Sequence, residues 1–74
     1  MSRHLHVEIW IGESQEFRDV FHDEQTAIAY INAHVGNDWN AHVSELKPCG
    51  HYEHIGIVCD RITGTLDAAL TSHQ

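Results

Sequence analysis

Two cysteines and two histidines fall within eleven residues of this sequence: Cys49, His51, His54 and Cys59. Thiolate sulfur and imidazole nitrogen are the ligands zinc takes, four at a time in a tetrahedron, so this segment is a candidate zinc site. Its spacing, Cys-x-His-x2-His-x4-Cys, matches no common paired-ligand module. Cys49 and His51 sit at a turn that can fold two donors toward one point. His54 and Cys59, five apart, lie on opposite faces of a regular strand and about 16 Å apart. The plainer alternative makes Cys59 a core residue, Cys49 a turn residue and the histidines surface groups, because free cysteine behaves as a small hydrophobe. Cys49 with a neighbouring histidine is also half of a nucleophilic Cys–His pair. No third orienting group or oxyanion hole accompanies it, and such sites assemble from segments distant in sequence.

The carboxylate pairs have structural explanations. Asp23-Glu24 is placed to cap a helix, and Glu13 with Glu16 flanks a turn. The five glycines are dispersed, so there is no glycine-rich phosphate loop. Gly56, inside a strand pattern, marks a bulge or a close backbone approach. The expectation is a protein without enzymatic activity.

Seventy-four residues make one domain, 1–74, with a core too small to supply more than about 3–5 kcal/mol of net stability unaided. Eleven acidic residues against four basic ones give a formal charge of −7. A negative field repels phosphate, which argues against direct nucleic-acid binding and suits a basic protein surface; solubility alone is the alternative. Eight histidines are the compositional outlier, and their full protonation would take −7 to +1. A charge change between about pH 7.5 and 5.5 makes a pH switch conceivable. No apolar run reaches the about 18 residues of a membrane span. The start of the chain lacks a signal-peptide core, and two cysteines make no disulfide framework. A cytoplasmic protein with reduced thiols is expected.

The elements that would position these groups follow from periodicity. Residues 4–12 alternate, Leu5, Val7, Ile9 and Ile11 against His4, His6, Glu8 and Trp10, which predicts a half-buried strand. Gly12 to Gln15 turns the chain, and residues 16–22 return as a second strand with a break in alternation, as at a bulge. Asp23 caps a helix over 24–35 with Ala27, Ile28, Ile31 and Val35 on one stripe, and Gly36 stops it. Trp39 to Leu46 is a third strand facing inward through Trp39, Ala41 and Val43. Lys47 to Gly50 turns the chain. Tyr52 to Asp60 is a fourth strand with Ile55, Ile57 and Cys59 on one face, and Thr65 caps a short helix through Leu66, Ala69 and Leu70. Residues 71–74 are expected to fray. The order β-β-α-β-β, with a short C-terminal helix, defines an α+β fold: a small antiparallel sheet with the main helix on one face.

The other sheet face then carries Trp10 beside charged residues. Either the C-terminal segment shields that face or a partner uses it. In size, charge and lack of catalytic chemistry, the chain resembles the small acidic proteins with which phages and mobile elements inhibit host machinery, anti-CRISPR proteins and inhibitors of host RNA polymerase among them. The resemblance implies a protein-binding module docked on a basic, nucleic-acid-binding surface. Its candidate contacts are Glu8, Trp10, Glu13, Glu16 and Asp19. A second copy of the chain is a further candidate partner, making a homodimer through a spare sheet edge.

Overall fold

The computed structural model describes residues 3–71. Strand β1 (Leu5–Ile11) is built by the first alternating segment, and its burial follows the expected parity. Leu5, Val7 and Ile9 are fully buried, while His6, Glu8 and Trp10 are half-buried on the reverse side. Gly12 takes a left-handed φ of 59° at the turn, where a side chain would be strained. Strand β2 (Ser14–Phe21) returns antiparallel. The expected bulge exists, but it lies earlier than the break in alternation suggested. Trp10 faces Gln15 and Ile9 faces Phe17, which leaves Glu16 as the extra residue.

Helix α1 (Glu24–His34) starts where Asp23 accepts a hydrogen bond from the Thr26 amide at 2.9 Å. Glu24 adds negative charge to its first turn. The helix ends through the Val35 amide on the Ile31 carbonyl and a left-handed Gly36. Strand β3 (Trp39–Leu46) pairs with β1, and strand β4 (Tyr52–Val58) pairs with β3, both antiparallel. The sheet order is β2-β1-β3-β4. Thr65 caps helix α2 (Leu66–Thr71), its Oγ1 accepting from the Ala68 amide at 3.2 Å. Of the tail expected to fray, positions 72–74 lie outside the described residues. No helix among the described residues is long and apolar enough to cross a membrane.

Both helices cover one face of the sheet. Leu5, Val7, Ile9, Ala41, Val43 and Val58 from the strands meet Ala27 and Ile31 of α1, Leu66 and Leu70 of α2, and Ile62 of the connecting segment. Burying one such large aliphatic side chain stabilises by about 1.5–3 kcal/mol. Two polar clamps fix the helices to each other and to the sheet. The Asn32 side chain donates to the Ile62 carbonyl (3.1 Å) and accepts from its amide (2.7 Å). Arg3 bonds Glu45 of β3 with two nitrogens (2.9 and 3.0 Å) and Glu24 of α1 (2.9 Å), with Asp67 of α2 at 3.3 Å. Glu24 in turn accepts from the Leu66 amide at 3.2 Å.

Strand β4 departs from its expected parity. A bulge in register puts Gly56 opposite Val43 and His54 opposite Ser44, with Ile55 as the extra residue. Downstream of it, Val58 takes the core position, and Ile57 turns to the reverse face opposite His42. Ile55 still packs against the core, whereas Cys59 lies beyond the strand and is exposed. At Gly56 the strand comes close to α2: a Cβ there would stand 2.8 Å from Leu70 Cδ2. Only glycine lets α2 lie this close to β4.

Candidate functional site

Register assigns the uncovered face residue by residue. His6 stands between Val20 and Ser44, and Ser44 faces His54. Glu8 stands between Arg18 and His42, and His42 faces Ile57. Trp10 stands between Gln15 and Asn40, and Leu46 faces Tyr52. Strand alternation sends these side chains away from both helices. Among the described residues the C-terminal segment does not shield Trp10, because α2 packs on the opposite side through Leu66 and Leu70.

This face is lined with rings. His4 meets His22 edge-on (centroids 4.7 Å apart) and Tyr52 (5.8 Å), and His6 also meets Tyr52 (5.5 Å). Trp10 tilts over His42 at 5.1 Å, and His42 lies 5.8 Å from His54. The Trp10 indole Nε1 donates to Glu8 at 3.0 Å, which fixes the ring. Tyr52 is 46% exposed and Val20 39%, so the face presents accessible apolar surface among its polar groups. Burial, with a smaller push from the His54 charge, holds the His42 imidazole below its ordinary range against the opposing pull of Glu8.

The expected partner contacts divide. Glu8 and Trp10 share the open face. Glu13 sits in the β1–β2 turn, and Glu16 at the bulge accepts from the Ser14 hydroxyl at 2.7 Å. Asp19 does not join them. It pairs with Val7, a core residue, so its parity is that of the helix side. The idea of an acidic sheet face is corrected accordingly. Among the paired positions of this face, Glu8 is the sole carboxylate and Arg18 the sole guanidinium. Carboxylates gather instead at the loop end of the sheet beyond Trp10, where Glu13 and Glu16 lie on the hairpin. At the same end Asp38 and Asp60 border a shallow groove with Ile11, Gly12, Asn37, Asn40 and Cys59. Asn37 and Asp38 hold left-handed φ values of 51° and 76°, which their short polar side chains tolerate.

The four candidate zinc ligands are not assembled. Cys49 lies in the turn before β4 and Cys59 beyond its far end, with seven strand residues between them, roughly 23 Å. Both thiols are exposed, and His54 turns to His42 rather than toward either. Among the described residues no group of three or more His, Cys, Asp or Glu side chains could hold a metal ion.

Contributors to the open face that escaped the sequence reading include Arg18, His42, His54 and Tyr52. The parity of β3 could have found His42, since Trp39, Ala41 and Val43 were already assigned inward. His54 needed the bulge. No protein-family model, curated protein or solved structure matches this chain.

Proposed function

We propose that the chain is a non-enzymatic protein-binding module that docks its acidic loop end on a basic surface of a partner protein. The observation that carries this reading is the segregation of charge. Glu13 in the turn, Glu16 at the β2 bulge, and Asp38 and Asp60 in loops lie at one end of the sheet, all four exposed. Arg61, next to Asp60 in sequence, marks the margin of this end: it borders one groove with Asp60 and another with Gln25, Ile28 and Asn32 beside α1. A predominantly acidic end on a chain of net charge −7 steers a cationic surface to a defined part of the molecule. Surfaces of that sign are the ones proteins use to hold nucleic acid. A module seated there excludes the nucleic acid and acts as an inhibitor, the mode of the phage and mobile-element proteins that the chain resembles in size and charge.

The test is capture from cell extract on the immobilised protein, beside a variant carrying Glu13→Gln, Glu16→Gln, Asp38→Asn and Asp60→Asn. The reading expects a partner held at 0.05 M salt, released at 0.5 M or by a DNA duplex, and not held by the variant. A partner held equally at both salt concentrations, or equally by the variant, overturns it.

A further inference from the structure

We infer that the open face of the sheet is an isologous interface, covered in solution by the same face of a second copy of this chain. In a twofold contact a patch meets itself, so a patch of one sign repels itself. This chain has an acidic excess of seven, yet the paired positions of the open face hold one carboxylate, Glu8, and one guanidinium, Arg18, directly opposite each other across β1 and β2. With histidines neutral the face carries no net charge. A second copy can lay its Glu8 near the first copy's Arg18 and the reverse. The rest of the face is apolar or uncharged polar, with Trp10, Val20, Leu46, Tyr52 and Ile57 as the apolar anchors. Aromatic anchors are enriched at interfaces.

The sheet edges offer less. Both edge strands, β2 and β4, carry a bulge. A bulge bends an edge and opposes strand-to-strand extension. Face-to-face packing, as between the sheets of a sandwich, avoids that obstacle. Strands about 4.8 Å apart and seven residues long at about 3.3 Å per residue give a four-stranded face of roughly 19 by 23 Å. Side-chain relief raises this footprint of about 440 Å² toward, but not to, the roughly 800 Å² per copy of a standard interface. The dimer is therefore weak, at the low end of interface sizes. This surface is distinct from the acidic loop end, so the dimer stands or falls separately from the proposed partner.

Sedimentation equilibrium at pH 7.5 over 1 µM to 1 mM, with circular dichroism to confirm folding, tests it. Wild type is expected to pass from monomer to dimer across that range. Arg18→Glu gives the face two negative charges and Glu8→Arg two positive ones, so each protein alone is expected to stay monomeric to 1 mM. Mixed in equal amounts they are expected to form a heterodimer, because each face then meets its opposite. Ala29→Asp, an added charge on exposed helix α1, is expected to leave the wild-type dimer intact. Wild type monomeric throughout, with the face left to some other molecule, overturns the inference. So does a dimer that survives both charge reversals, or a mixture that stays monomeric.

Discussion

Arg3 makes the densest set of polar contacts among the described residues, and its position next to the chain start gave no sign of it. Its guanidinium joins β3, α1 and α2 through Glu45, Glu24 and Asp67, at 23% side-chain exposure. Hydrogen bonds to charged groups contribute roughly 1.5–3 kcal/mol, so Arg3→Met is expected to lower the unfolding free energy by about 2 kcal/mol at pH 7 in urea titration. The pH dependence follows from Glu45. The hydrogen bond from Arg3 holds its carboxyl below the usual range, against burial and with help from the Arg3 and Lys47 charges. A depressed carboxylate contributes stability above its unfolded value, near pH 4.3, and loses it as pH falls toward the folded value. The gap between wild type and Arg3→Met should therefore narrow between pH 5 and 3. A gap constant over that range would assign the effect to the packing of the arginine stem. The cysteines make the opposite case. With Cys49 and Cys59 at opposite ends of β4, a chelator is expected to leave the melting temperature of the purified protein unchanged. A fall on adding EDTA would revive a structural ion.

At the scale of elements, what could be read from sequence depended on whether a strand kept its phase. β1 and β3 pair with each other without a break, and alternation alone gave both faces of β1 and the inward residues of β3. The caps of α1 were equally plain, because Asp23 and Gly36 act on their immediate neighbours. β4 was read in the wrong phase beyond its bulge, since one extra residue exchanges the two faces for everything that follows. Gly56 carried the warning, but the helix that demands it arrives ten residues later in sequence and from outside the strand. The role of Asn32 was hidden for a similar reason: its partner, the Ile62 backbone, lies thirty residues away. Asp19 was grouped with Glu8 through neglect of parity. Phe17, Asp19 and Phe21 alternate together, and the partners of all three on β1 are core residues. The contact between Gly56 and Leu70 is testable. Gly56→Ala would press a methyl to 3.2 Å from Leu70 Cβ and closer to its Cδ2, and overpacking of this kind costs about 1–3 kcal/mol. In a double-mutant cycle with Leu70→Ala, the combined loss is expected to fall short of the sum by on the order of 1 kcal/mol. Strict additivity would instead place the need for glycine in the backbone of the bulge.

For the whole molecule, acid is the natural perturbation. The imidazole of His42 stands opposite Glu8 on β1 and Ile57 on β4, with the Trp10 ring against it and the His54 ring 5.8 Å away. Its proton affinity is reduced in the folded state, first by burial. A histidine depressed on folding leaves stability untouched well above pH 6.5 and subtracts from it as pH falls below that value toward the folded one. The melting temperature of wild type at dilute, monomeric concentration is expected to drop between pH 7.5 and 5.5, and that of His42→Gln to drop less. Equal drops would place the acid sensitivity elsewhere. The strand order β2-β1-β3-β4 has a consequence of another kind, in the time course of assembly. β1–β2 and β3–β4 are hairpins of neighbouring strands, a class of unit that closes within about 1–10 µs. The β1–β3 seam joins Leu5 to Glu45 across forty residues and must wait for α1 to bring the two hairpins together. The rate-limiting step of folding then belongs to that central seam, while the short α2, last in the chain, docks afterwards and opens first in hydrogen exchange.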